Sequence, residues 1–292
     1  MDLKRILVAI NSPNERDAAF ERALALAQSS GAELYLLHAV PVNDPFSFRA
    51  EERLERMADM RRRAENAGVN VQTVEQHGDA AEIIELHANA RAVDLIVMGT
   101  EARRRSWGRH RSSVAERVID RTNVPTLLVA SDTPGNPAAF RNVLAAVDLS
   151  LASNDVLRSA VGLAADEAVQ LTVMHTVEGV EAADAVPSLV PWMLPEYRTR
   201  ILEDARRAVE GVVSVVRADV DLRVLVSMGS AAPAILQHAA DVDADLVVVG
   251  KSRGFKMFGS TTLRVLRKND RALLVIPSAD PRASRVERQR AA

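Results

Sequence analysis

The chain has 292 residues, 48% hydrophobic and 26% charged, with a formal net charge of −2. That is an ordinary globular composition, long enough for two domains of roughly 100–200 residues each. The charge balance argues against a nucleic-acid binder, no stretch approaches the roughly 18–20 apolar residues of a membrane span, and the lack of cysteine excludes disulfides and cysteine nucleophiles. Aromatic residues make up only 3%, so Ala, Val, Leu and Ile must build the core.

The opening Met-Asp-Leu-Lys-Arg-Ile enters a strand directly, which predicts no signal peptide and a cytoplasmic location. "ILVAINS" at 6–12 is that first strand. The helix "ERDAAFERALALAQSSG" follows, with apolar residues at helical spacing and Gly31 as its stop. "ELYLLHAV" at 33–40 is the second strand, and "AEERLERMADMRRRAENAG" is a helix with a charged outer face, ended by Gly68. "DAAEIIELHANA" opens on the N-cap residue Asp79. "VDLIVMG" at 93–99 and "VPTLLVAS" at 124–131 complete a run of five strands and four helices. Strands alternating with helices of this length predict a parallel sheet with right-handed crossovers.

The run is then written again. "VLAAVDL" at 143–149 answers the first strand, and "QLTVMHTV" at 170–177 answers the second, setting His175 on His38. "ADLVVVG" at 244–250 answers 93–99 and "RALLVIPS" at 271–278 answers 124–131, with changed offsets. The second half therefore carries fourteen extra residues, assigned to 181–197 around Trp192, and has lost four before its last strand. Its third helix opens on Ser230, the counterpart of Asp79. The reading is a first domain at 1–134, a linker at 135–140, a second domain at 141–280 and a disordered tail at 281–292.

Gly250-Lys251-Ser252 has the ending of a Walker A loop. The motif requires a glycine five positions earlier. That position is Asp245, and Leu246 to Val249 reads as a buried strand, so Lys251 and Ser252 follow a strand with no loop before them.

The Val8-to-Asn11 end of strand one, "LLHAV", "DLIVMGT", the long loop into "SSVAERVI" and "VPTLLV" together resemble the universal stress protein family. The resemblance covers 3–132 and 141–278 and implies a tandem member. It implies two five-stranded, doubly wound, Rossmann-like α/β domains about a pseudo-two-fold axis. Their last strands, 126–130 and 272–276, would meet and hide their edges. Pairing of two whole chains stays open.

ATP-binding members of that family carry G-x2-G-x9-G-[ST] after strand four, and an Asp ending strand one near the adenosine. Glycines let the backbone approach phosphates, and the next helix's amides hold the anion. In the first half the spacing survives and the residues do not: Gly99 stands, Ala102 replaces the second glycine, Ser112-Ser113 replace Gly-Ser, and Asn11 replaces the Asp. The intervening "RRRSWGRHR" at 103–111 offers side-chain cations for phosphate or an acidic partner. In the second half Asp148, Gly250, Gly259 and Ser260 are present, but Arg253 takes the second glycine's place with Gly254 one position late. Only ten positions separate Gly250 from Ser260, where the motif has fourteen. The second half is thus the better nucleotide candidate.

His38 and His175 read as packing residues at strand ends, and His77, His87, His110 and His238 make no metal-ligand pattern. Trp107 and Trp192 fall in loops as candidate interface anchors. No G-x-S-x-G elbow provides a nucleophile. Two readings follow: a non-enzymatic stress-response module with degenerate ATP loops, or an ATP-binding switch with weak ATPase activity centred on the second half. No metal or other cofactor is expected, with ATP the one open ligand.

Overall fold

The computed structural model describes residues 1–10, 17–42, 50–100, 113–130, 140–150, 152–164, 169–178, 195–214, 220–251 and 259–277. The first half runs β1 (Arg5–Ile10), α1 (Ala18–Ser30), β2 (Glu33–Val40), α2 (Ala50–Asn66), β3 (Val71–His77), α3 (Ala80–Ala90), β4 (Leu95–Thr100), α4 (Val114–Arg121) and β5 (Thr126–Ala130). The second runs β6 (Asn142–Ala146), α5 (Ser153–Leu163), β7 (Gln170–Val177), α6 (Pro195–Val213), β8 (Asp221–Met228), α7 (Ala231–Asp241), β9 (Leu246–Lys251), α8 (Ser260–Lys268) and β10 (Ala272–Pro277).

All ten strands form one sheet, in the order β3-β2-β1-β4-β5-β10-β9-β6-β7-β8. Within each half every pairing is parallel. The halves join through antiparallel β5 and β10, with Leu128 opposite Leu273 and Thr126 opposite Val275. The meeting of the last strands is therefore as the sequence implied, and the mirrored order sets a pseudo-two-fold axis between them. The inner strands bury both faces, which explains their near-continuous apolar runs, while the edge strands β3 and β8 stay partly exposed. Ile6 and Val8 point to one core and Leu7 to the other. One face is covered by α2, α1, α5 and α6 through residues such as Met57, Phe20, Leu157 and Val209. The other is covered by α3, α4, α8 and α7 through Ile84, Ile119, Val265 and Ile235.

Gly31 ends α1 in the left-handed conformation (φ 72°), its amide donating to Ala27 O. Asp79 caps α3 by accepting from the amides of Ala81 at 3.0 Å and Glu82 at 3.2 Å. Its counterpart Ser230 stands at the N-cap of α7 but its side chain does not cap. A Glu178 carboxylate oxygen accepts from the Ala231 amide instead, at 3.3 Å. A feature the sequence reading missed is shared by both halves. Asp94 accepts from the amides of Lys4 (2.8 Å) and Arg5 (2.9 Å), and Asp245 from those of Arg141 (2.7 Å) and Asn142 (3.2 Å). Each aspartate precedes its half's fourth strand and fixes the start of its first.

Of the expected linker only Phe140 is described, and the tail 281–292 lies outside the described residues, as do 181–194 with Trp192. The rest of that insertion opens α6, beginning at Pro195, where a missing amide and a preset φ suit a helix start.

Candidate functional site

Strand order reverses between β1 and β4, and again between β6 and β9. Such switch points open ligand crevices at the strands' carboxyl ends. The antiparallel joint sends the two crevices to opposite ends of the sheet.

At the first crevice Gly99 lies in β4, where an added Cβ would sit 4.0 Å from that of Ala19, so packing does not demand glycine there. Ser113 is the N-cap of α4, its Oγ accepting from the Glu116 amide at 3.2 Å. Asp17 caps α1, accepting on Oδ1 from the amides of Ala19 (3.0 Å) and Phe20 (3.1 Å). Burial pushes its carboxyl above the usual value, against the pull of those two amides. Asn11, Ala102, Ser112, the cationic run 103–111 and Trp107 lie outside the described residues.

At the second crevice Asp148 Oδ1 accepts from the Ser150 amide (3.0 Å) and the Ser153 hydroxyl (3.2 Å). Burial works to raise this carboxyl, but the Ser150 and Ser153 bonds prevail and hold it below its usual value. Gly250 packs more tightly than Gly99, since an added Cβ would meet Val156 at 3.4 Å. The Gly250 carbonyl accepts from the Thr262 hydroxyl at 2.8 Å, tying the first turn of α8 to the end of β9. Gly259 is the N-cap of α8 and provides no side-chain cap, and Ser260 is the exposed first residue of the helix. Gly254 and Arg253 lie outside the described residues.

Lys251 belongs to β9 instead of following it, a correction to the sequence reading. Its ammonium reaches into the other half, donating to the carbonyls of Ile119, Asp120 (2.7 Å) and Thr122 (3.5 Å) at the end of α4. The Walker-like Gly-Lys-Ser is thus no phosphate loop of that kind. The histidines repeat one contact: His38 Nδ1 lies 2.9 Å from Ile10 O, and His175 Nδ1 lies 2.9 Å from Val147 O. Each ties the end of the second strand to that of the first, as a packing role requires. Among the described residues no group of three or more His, Asp or Glu could hold a metal ion, and no helix is long and apolar enough to cross a membrane.

Contacts between the halves were beyond the sequence reading. Glu116, 6% exposed, receives Arg267 of α8 through Nε (3.0 Å) and Nη2 (3.3 Å). On the opposite face Arg22, 4% exposed, lies 3.9 Å from the ring centroid of Phe140.

Two doubly wound α/β units, each with a crevice at the carboxyl ends of its strands, define a tandem α/β protein. The description "Universal stress protein family" matches residues 2–130 and again 139–277, so the chain belongs to that family. A universal stress protein of Methanocaldococcus jannaschii is 30% identical over 139 residues, spanning 43% of this chain and 81% of the relative. A putative universal stress protein of Pseudomonas aeruginosa superposes with a TM-score of 0.71 at 19% identity, covering 94% of this chain and 93% of that one. One from Archaeoglobus fulgidus gives 0.68 at 19% identity, covering 94% and 97%.

Proposed function

We propose that this chain is a non-enzymatic stress-response module of the cytoplasm that works by binding, with worn forms of its family's ATP loops. The observation that carries this reading is where three polar groups are committed. Asp148 caps its own turn, Ser113 caps α4, and Lys251 caps the far end of that helix. Groups that would serve phosphate chemistry instead satisfy the protein's own backbone. The net charge of −2 supports a partner other than nucleic acid.

A second reading, an ATP-binding switch in the second half, is favoured by a specific contrast. The first turn of α4 has a side-chain cap, whereas among the described residues that of α8 has none. An uncapped helix start is where an anion gains most from backbone amides, and an ionised Asp148 stands at the same end of the sheet.

The two readings separate on the nucleotide content of purified protein. Heat-denatured extract is run on ion exchange against ATP, ADP and AMP, with calorimetric titration of added ATP alongside. About one nucleotide per chain, lost in Asp148→Ala, selects the switch. No nucleotide and no heat at about millimolar ATP, the weak end of useful affinity, selects the ligand-free module.

A further inference from the structure

The helix α4 runs between the two crevices. Its N-cap Ser113 stands at the carboxyl end of the first half's strands, because β4 and β5 are parallel and the helix must return between them. Its other end emerges at the carboxyl end of the second half's strands, because β5 and β10 are antiparallel. There it meets Lys251, the residue after Gly250. The last carbonyls of a helix have no partner within it, and a cation is favoured at that negative end of the dipole. Arg267 grips the same helix from α8 through Glu116. Glu116 is also the residue whose amide Ser113 accepts, so both grips converge on the helix that begins at Ser113.

Among the described residues the arrangement works in one direction only. Thr100, which ends β4 as Lys251 ends β9, keeps its hydroxyl within its own half, 3.4 Å from Val129 O. Leu263, the counterpart of Glu116, has no carboxylate to offer. Lys251 lies on the face covered by α4 and α8, at the end of β9 where α8 also starts.

We propose that Lys251 is a two-position latch. Its ammonium holds the C-terminus of α4 while the second crevice is empty, and transfers to the phosphates of an adenine nucleotide that enters it. Occupancy of the second crevice thereby releases α4 and, through it, Ser113 at the first. The ligand half of this inference rests on the nucleotide reading above; the latch half does not.

Hydrogen exchange of the full chain, read by mass spectrometry on peptides covering 114–121, tests both. Without nucleotide, Lys251→Met should speed exchange of α4 by about two- to fivefold, the weight of one helix-end cation. Lys251→Arg, which keeps donors, should stay near wild type, and peptides of β1 and β2 should not change. Saturating ATP should bring wild-type α4 to the rate of Lys251→Met, and leave that variant where it was. Unchanged α4 exchange in Lys251→Met overturns the latch whatever the ligand does. ATP seen bound by native mass spectrometry, with wild-type α4 unmoved, overturns the transfer while the nucleotide reading stands. Absence of bound ATP removes both the reading and the transfer, and the variant without ligand still decides the latch.

Discussion

The two halves share a topology strand for strand and differ in how their helices begin. In the first, α1, α3 and α4 are each capped by their own N-cap side chain, Asp17, Asp79 and Ser113. In the second, α5, α7 and α8 begin at Ala152, Ser230 and Gly259, none of which caps its helix with its own side chain. A cap is worth about 0.5–2 kcal/mol, so the first half settles its crevice-end amides internally. The second leaves some to other groups, such as Glu178 at α7. The seam shows a second contrast. Arg22 of α1 is sealed beneath Phe140. At its pseudo-equivalent in α5, Ser159 borders a cavity of about 310 Å3 with Met1, Pro125 and Ile276. Duplication fixes the sheet, while the sites at its two ends diverge.

The largest way to break this comparison is at the filled side of the seam. Phe140 is fully buried, so Phe140→Ala should cost about 3–5 kcal/mol in urea unfolding of the whole chain. A loss below about 1 kcal/mol, the scale of a surface change, would mean the seam relaxes freely. Arg22 sharpens the point. Its Nε and Nη1 are buried without a hydrogen-bond partner among the described residues. Burial lowers its pKa to about 10, with the Asp245 charge opposing. An unpaired buried cation is costly, so Arg22→Met should be neutral or stabilising by about 1–3 kcal/mol. A comparable loss would show that the cation–ring contact outweighs desolvation.

That seam also marks where the sequence stopped being legible. The strands at 33–40 and 170–177 are found where the pattern placed them, because a strand buried on both faces declares itself by an unbroken apolar run. Asp79 and Gly31 act through chemistry local to a few residues, and local chemistry survives in one dimension. Phe140 sits at the end of a Pro- and Gly-containing stretch that reads as linker, yet it is fully buried. What covers it is a helix more than a hundred residues away. Arg22 did leave a trace, falling at helical spacing among the buried Ala19, Ala23 and Leu26, a core-facing position for a charge. Lys251 and Glu116 left none, since periodicity reports the apolar face within a half and not what the other half lays upon it. The crevices were half legible for the same reason: glycine spacing marks a loop, but nothing local shows Lys251 turned toward α4.

The capping contrast gives a smaller effect. Ser113→Ala should lower stability by about 1 kcal/mol, and Gly259→Ser should change it by only a few tenths, because glycine already serves as an N-cap. Urea midpoints of the two variants check this. If Ser113→Ala is silent, the first crevice satisfies its α4 amides some other way. Its amides would then be no more open to an anion than the capped helix suggests, and the contrast with α8 would stand on other groups than Ser113.

The smallest effect separates the two aspartates that stand at opposite ends of the sheet. Both ionise, but burial raises the folded pKa of Asp17, while the Ser150 and Ser153 bonds lower that of Asp148. For Asp17 the folded state holds the proton more tightly than the unfolded chain. Its contribution is therefore greatest below the ordinary value of 3.8 and declines as pH rises from there through the folded pKa. For Asp148 the sign reverses: its contribution is present above 3.8 and is lost as pH falls through the lower folded value. Asp17→Asn keeps both amide bonds, since both land on Oδ1. Asparagine and aspartate cap equally well, so at neutral pH the variant should match or exceed wild type by less than about 1 kcal/mol. Urea midpoints between about pH 3 and pH 7 should show the Asp17→Asn advantage growing as pH rises above 3.8. Asp148→Asn should instead lose to wild type at neutral pH and converge with it in acid. Parallel curves for both variants would show that neither burial nor the serine turn distinguishes the two halves, leaving the cap pattern alone to do so.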